Sequence, residues 1–371
     1  MRIGILTQPL RYNYGGILQN YALQTVLKRL RHNPVTLDQT QIPSHSALYW
    51  IVVYCRRLLL RLIGKWPFPL FSEINTLRDN KKILVHTRSF IDKYINIKWE
   101  TQYEKLQNKD YDALVVGSDQ VWRPNGVRDI AIEFFSFANH WNNVKRVAYA
   151  ASFATSEWEF SEQQTECCKT LAKKFDGISV REESGVKLCQ EHLSVDSTWV
   201  LDPTLLLSSE DYVKGLNIVH NPAHNKSLFY YILDETDSKL DAVNNVASSL
   251  GLTPFRVNSK AENTCAPVEE RVQPPVENWV QAFYDSDFVV TDSFHAVAFS
   301  IIFNKPFYVI INEGRGSARF ESILSQFNLR NRIIRDDSLP SSHETIDWAS
   351  VNDLLKIKRQ EACVFLQNSL Q

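Results

Sequence analysis

Met1-Arg2-Ile3-Gly4-Ile5-Leu6-Thr7 opens the chain, and Arg11-Tyr12-Asn13-Tyr14-Gly15-Gly16 follows closely. Ile3 to Leu6 is a short apolar run that reads as a buried strand. The Asn13-to-Gly16 segment reads as a loop. Beyond it Leu23, Val26, Leu27 and Leu30 recur at the i, i+3, i+4, i+7 spacing of an amphipathic helix. Strand, glycine turn, helix is the opening of a doubly wound α/β domain.

The pattern returns downstream. Ala113 to Gly117, Val147 to Ala151 and Gly177 to Val180 are short apolar runs ending in small or polar residues. Near Val200-Leu201-Asp202-Pro203-Thr204 the chain turns polar, and a second alternation begins. Leu228 to Leu233, Phe288 to Val290 and Pro306 to Ile311 read as strands. Leu240 to Leu250 and Ala296 to Phe303 read as helices. The expected division is an N-terminal α/β domain over 1–203, a C-terminal one over 204–345 and a terminal helix within 346–371. Two such domains imply a cleft between them, the usual home of a small-molecule site. The polar, proline-containing stretch from Asn258 to Pro275 is expected to be a mobile loop.

A chain of 371 residues suits two domains. Hydrophobic residues at 44% and charged residues at 22% are globular values and exclude wholesale disorder. Lys+Arg is 41 against 42 for Asp+Glu, which argues against a nucleic-acid partner. Six scattered cysteines form no CxxC pair, no histidine sits near them at zinc spacing, and no signal-peptide core opens the chain. The expectation is a cytosolic protein with reduced thiols and no required metal.

The segment 47–70 departs from a plain α/β unit. Ala47 to Cys55 is uncharged, Arg56, Arg57, Arg61 and Lys65 follow, and no acidic residue lies between Ser46 and Phe71. It is too short to span a bilayer. A Trp-flanked, basic, apolar stretch suits the surface of an anionic membrane, and over 47–66 such a contact is one reading. A helical insertion docked on its own domain or on a second subunit is the other.

Ligands of open α/β sheets bind beyond the carboxyl ends of the strands. There lie Asn13, Tyr14, Gly15 and Gly16 with Gln19 one turn on; Ser118, Asp119 and Gln120; Ser152; Arg181; Ser293, Phe294 and His295; and Arg315 and Arg319. The arginines offer forked donors to an anion. Ser293 and His295 open a helix, where unpaired N–H groups favour phosphate. Asp119 and His295 are the acid–base candidates. Each has a plainer explanation: a tight turn at Gly15-Gly16, a helix cap at Ser118-Asp119, a surface pair between Arg181 and Glu182 or Glu183, a half-buried His295. Their joint position after strand ends favours function. GxxxxGK[ST] and GxGxxG loops are absent, as is HExxH.

Together these segments resemble the polysaccharide pyruvyl transferase family. The carrying motifs are Gly4 to Thr7 with Asn13 to Gly16 and Leu18 to Gln24, Asp112 to Trp122, Ala148 to Phe153, Ile178 to Glu182, Leu201 to Thr204, and Thr291 to His295. The resemblance implies a GT-B-like fold of two Rossmann-like domains facing across a cleft. It implies transfer of a pyruvate moiety from phosphoenolpyruvate, as donor substrate and with no cofactor, to sugar hydroxyls as a cyclic ketal. Arg181 and Ser293-Phe294-His295 would then line the donor site, with Asp119 on the acceptor side beside Asn13, Tyr14, Gly15, Gly16, Gln19, Ser118 and Gln120. Some relatives carry Arg at the position of Ser293, so Arg315 or Arg319 is expected to take over its charge. A basic 47–66 segment suggests a lipid-linked acceptor at the cytoplasmic membrane face. A nucleotide-sugar glycosyltransferase of the same fold and a non-catalytic relative in envelope polysaccharide assembly are the competing readings.

Overall fold

Apolar runs of four to seven residues, each flanked by a loop, become parallel strands here because helices cover both faces of the sheets they enter. The computed structural model describes residues 1–39, 47–63, 71–100, 102–126, 129–311, 316–334 and 344–371. The first sheet has seven strands: β1 (Arg2–Leu6), β2 (Asn33–Gln39), β3 (Ile97–Glu100), β4 (Ala113–Val116), β5 (Lys145–Ala151), β6 (Gly177–Val180) and β7 (Thr198–Trp199). Their spatial order is β3-β2-β1-β4-β5-β6-β7. The second sheet comprises β8 (Ser227–Tyr231), β9 (Thr253–Phe255), β10 (Phe288–Thr291), β11 (Phe307–Ile310) and β12 (Ile333–Ile334), in the order β12-β11-β10-β8-β9. All described pairings are parallel.

Both orders reverse direction once. In the first sheet the reversal lies between β1 and β4, where Ile3 pairs Ala113 and Ile5 pairs Val115. In the second it lies between β8 and β10, where Val289 pairs Phe229. Loops leaving the carboxyl ends of two neighbouring strands diverge at such a point and leave a crevice. The two crevices of this chain open into one cleft.

One apolar core runs beneath it. It joins Ile3 and Ile5 to helix α1 (Tyr14–Arg29), the wholly buried helix Phe294–Ile302, and Phe307 in the second sheet. The Tyr14 ring meets Trp279 at 5.7 Å and Tyr231 at 6.3 Å, so the two halves share a packed floor. The last helix, Trp348–Ser369, returns to the first sheet. Phe365 meets Tyr149 at 6.3 Å, and Arg359 donates to the carbonyls of Leu205 and Leu207 in the connection between the sheets.

Two further segments bear on the site. The Asn258–Pro275 stretch is a hydrogen-bonded wall of the cleft rather than a free loop. Lys260 pairs with Glu270 at 2.6 Å, Ser259 Oγ donates to Gln273 at 2.7 Å, and Gln273 Nε2 donates to the Tyr12 carbonyl at 2.8 Å. Its polar residues, which suggest a loop in the sequence, are the ones that tie it down. The 47–70 insertion forms helix α2 (Ala47–Leu62), followed by α3 (Ser72–Ile83); residues 64–70 lie outside the described residues.

Candidate functional site at the paired switch points

The cleft has a volume of about 1010 Å³. Four loops line it, one from each switch-point strand: Gln8 and Asn13 after β1, Asp119 and Gln120 after β4, Asp234 after β8, and Ser293 and His295 after β10. Three helices also begin at it. They are α1, Phe294–Ile302 and Ala318–Gln326, and among the described residues none has a side chain capping its first turn. Free N–H groups at a helix start carry partial positive charge, so these three ends make the cleft receptive to an anion.

His295 crosses from the second half to the first. A Cβ on Gly15 would lie 2.0 Å from its Nδ1, so only glycine lets α1 seat the imidazole. Nε2 lies 3.8 Å from Asp202 Oδ2 and has no hydrogen-bond partner among the described residues. Burial pushes this imidazole below its ordinary pKa. Arg181 and Arg319 add to the effect, while Asp202 and Asp119 oppose it. The free protein therefore holds a neutral, under-bonded imidazole at the cleft floor.

Asp119 is aimed by its backbone. Its φ of 76° is in the left-handed region, which costs a non-glycine residue energy and which Asp tolerates better than most. One carboxylate oxygen accepts from the Gln120 N–H at 2.9 Å and the other from Asn13 Nδ2 at 3.2 Å. Ser152 N–H donates to the Asp119 carbonyl at 3.1 Å and fixes the turn.

Arg181 lies one layer below. Its side chain is buried, and it is surrounded by Asp202 at 3.1 Å, Glu182 at 3.4 Å and Asp119 at 3.8 Å. Burial presses its pKa down, but the three carboxylates outweigh that and hold the guanidinium charged. Its guanidinium carbon lies over the Phe294 ring, 4.4 Å from the centroid. A cation so compensated adds little net charge to the cleft; it orients Phe294 and the carboxylates. Arg319 reaches the cleft itself. Burial and the nearby Arg181 lower its pKa to about 10, so it remains charged at neutral pH. With the Gln120 amide oxygen turned toward it, both guanidinium nitrogens donate to that oxygen at 3.1 Å.

The structure thus brings Asn13, Gly15, Gly16, Asp119, Gln120, Ser293, Phe294, His295 and Arg319 to one cleft. Five other sequence candidates do not line it, among them Ser152, whose hydroxyl donates to Glu182. Arg181 is the buried support just described. Tyr14 turns its hydroxyl to the Pro274 carbonyl at 2.7 Å and its ring into the core. Gln19 is fully buried and donates to Thr7 Oγ1 at 2.8 Å. Ser118 donates to Asp202 at 2.8 Å. Helical periodicity and core packing set the direction of these side chains, and strand-end position alone does not reveal it. Arg315 lies outside the described residues. Among the described residues no group of three or more His, Cys, Asp or Glu is arranged to hold a metal ion.

A family model described as polysaccharide pyruvyl transferase matches residues 13–314, from the α1 loop to the segment before Arg315. The chain belongs to the polysaccharide pyruvyl transferase family. Membership implies a transferase with a polysaccharide acceptor. A comparison with curated proteins finds no match. Among solved structures, Arabidopsis thaliana UGT89C1 complexed with UDP-L-rhamnose is 9% identical, with a TM-score of 0.53 over 99% of this chain and 98% of its own. Staphylococcus aureus MnaA with UDP is 12% identical, with a TM-score of 0.46 over 100% of this chain and 91% of its own. At such identities the likeness speaks to fold alone, and the fold is GT-B-like: two parallel α/β units facing across a cleft.

Asp202 is the site residue that sequence reasoning left unassigned. It lies in the segment Leu201-Asp202-Pro203-Thr204, and there it looks like a cap, since Oδ1 accepts from Thr204 N–H at 2.9 Å. Its other oxygen joins Ser118, Arg181 and His295. Burial alone would raise its pKa, but His295, Arg181 and Thr204 outweigh burial and keep it low. Lys239 is also missing from the sequence candidates; it pairs with the cleft-lining Asp292 at 2.7 Å.

Proposed function

We propose that this protein transfers the pyruvate moiety of phosphoenolpyruvate to two hydroxyls of a saccharide, forming a cyclic ketal and releasing phosphate. The observation that carries the reading is the meeting of three uncapped helix starts with His295 and Arg319 at the two switch points. That set suits a small phosphorylated acid. A volume of about 1010 Å³ exceeds what a three-carbon phosphate fills and leaves room for sugar rings beside it.

The chemistry follows from the donor. A proton added to C3 makes C2 electrophilic, and an acceptor hydroxyl adds there and gives up its proton. The C2–O bond to phosphate breaks. A second hydroxyl closes the ketal, and its proton leaves with the phosphate. His295 begins neutral. A bound dianion beside it favours the imidazolium, which then serves as the acid or holds the phosphate. Asp119, on the facing half, orients or deprotonates the acceptor hydroxyl. Arg319 takes the role expected of an arginine at Ser293, and Arg181 steadies Phe294 and Asp202 from behind.

The test is phosphate release and added acceptor mass on incubation with phosphoenolpyruvate and a panel of lipid-linked glycans. His295→Ala should lower turnover about a thousandfold while leaving the denaturation midpoint close to that of the parent. Near-parental turnover in that variant removes His295 from the mechanism. Stabilisation by UDP- or GDP-sugars in place of phosphoenolpyruvate replaces the reading with glycosyl transfer.

A further inference from the structure

Helix α2 has no polar face to offer water. At helical spacing Trp50, Val53, Tyr54, Arg57 and Leu60 share one side, and all five are half-buried. Tyr54 meets Phe71 at 4.9 Å, so this side leans toward α3. The opposite side carries Leu48, Ile51, Val52, Leu59, Leu62 and Ile63, with exposures of 69%, 58%, 59%, 64%, 75% and 63%. Half of the large hydrophobic side chains exposed among the described residues fall between Leu48 and Ile63. A contiguous apolar surface of this kind marks an interaction site.

We infer that α2 lays this stripe on the surface of an anionic lipid bilayer. Arg56 is exposed beside the stripe, Arg61 is exposed one turn beyond Arg57 on the other side of the helix, and from residue 47 to residue 71 the chain has no acidic residue. Apolar side chains entering the headgroup boundary, with the Arg56 guanidinium at phosphate level and no carboxylate nearby to repel anionic lipid, match both features of the helix. The helix lies on the bilayer and does not cross it. Its 16 residues reach about 24 Å against a hydrocarbon core of about 30 Å, and no described helix is long and apolar enough to span. A second copy of the chain is a poorer occupant. A symmetric α2–α2 contact would set arginines against arginines, with no carboxylate in the segment to answer them.

The position gives the contact a use. Gln273 lines the cleft, and its N–H donates to the Ile83 carbonyl at the end of α3 at 3.2 Å. A bilayer against α2 therefore lies one helix away from the cleft wall, where a lipid-linked saccharide would arrive. The surface assignment stands on α2 itself; only this use rests on the pyruvyl-transfer reading.

Flotation of the full-length protein on a sucrose gradient tests it, with phosphatidylglycerol-rich vesicles against pure phosphatidylcholine. The parent should float with the anionic vesicles. The variant Leu59→Glu with Leu62→Glu should stay at the bottom of the gradient. Arg56→Gln should weaken binding roughly fivefold. Circular dichroism and activity on a water-soluble acceptor should match the parent in both variants. Equal flotation of parent and variants overturns the proposal. So does a parent that binds neither vesicle, including one that light scattering finds to be a dimer and that Leu59→Glu with Leu62→Glu makes monomeric. Normal flotation in a protein that releases no phosphate leaves the membrane surface standing and removes only its use.

Discussion

The helix Phe294–Ile302 and helix α2 are both strongly apolar, yet one is buried at all nine positions and the other is largely exposed. In the buried helix the polar atoms are answered locally. Ser300 Oγ donates to the Ala296 carbonyl at 2.8 Å, and the imidazole at its first turn opens to the cleft. In α2 the charges are three arginines, too many to enter a core and too few to make a solvated face. Burial here follows place in the topology. A helix that follows a switch-point strand is enclosed between the two sheets; one inserted between β2 and β3 hangs at the edge of the first. The same apolarity serves folding in one and, on our reading, docking in the other.

The comparison can be broken most directly by trimming each helix once. Phe299 is fully buried against Tyr212 at 4.9 Å, Trp279 at 5.0 Å and Phe283 at 5.5 Å. Phe299→Ala should cost about 3–5 kcal/mol of stability, because it removes apolar contact and leaves a cavity among rings that collapse poorly. Leu59→Ala takes apolar atoms from a side chain that is 64% exposed and should stay within about 0.5 kcal/mol. Urea denaturation of both variants checks the pair, and a loss above 2 kcal/mol for Leu59→Ala would mean that α2 is packed rather than presented.

The buried helix was far easier to read from sequence than its surroundings. Its run Phe294 to Ile302, and the strands at Ile3, Ala113, Val147, Gly177, Leu228, Phe288 and Phe307, are short apolar segments, and enclosure by helices on both sides makes such runs conspicuous. The edge strands β3, β7, β9 and β12 were not legible, nor was β2, which lies next to the edge. β2 reads Asn33-Pro34-Val35-Thr36-Leu37-Asp38-Gln39, and a strand bordered on one side by a short neighbour tolerates polar residues and a proline. At the site, position after a strand identified the loops but not the direction of each side chain. Asp119 and His295 reach the cleft, whereas Ser118, a neighbour of Asp119, points into the support layer because a strand end alternates its faces. Asp202 was hidden by a local role, since a cap and an ion-pair partner look the same in one sequence.

A sharper cut leaves the bulk of the buried helix alone and disturbs only its first turn. Gly15→Ala puts a methyl group where His295 Nδ1 and Cγ lie, at 2.0 and 2.3 Å, so the imidazole must move. A displacement of that size should lower kcat/KM about a hundredfold. Gly16→Ala is the control. Its Cβ would meet Asn13 at 3.3 Å and Asp119 at 3.5 Å, distances that small shifts accommodate, and its loss should be much smaller. Equal losses at both positions would point to backbone freedom rather than to a seat for the imidazole.

The smallest effect separates the helices by pH. The described part of α2 holds neither histidine nor carboxylate, so its packing should be indifferent to acid. His295 is different. Burial, with help from Arg181 and Arg319, lowers its folded pKa below the ordinary value near 6.5 that it regains on unfolding. Between those two values the unfolded chain binds the extra proton and the folded chain does not. Stability from the neutral imidazole is therefore fully present above about pH 6.5 and lost as pH falls through that window. Urea midpoints at pH 7.5 and 5.5 should fall further in the parent than in His295→Gln, a difference that cancels the other titrating groups. Phosphoenolpyruvate should reverse the sign at this residue, because a dianion beside the imidazole raises its pKa and draws in a proton on binding. Calorimetry in two buffers of different ionisation enthalpy reads that uptake directly, and binding without uptake would set the donor apart from His295.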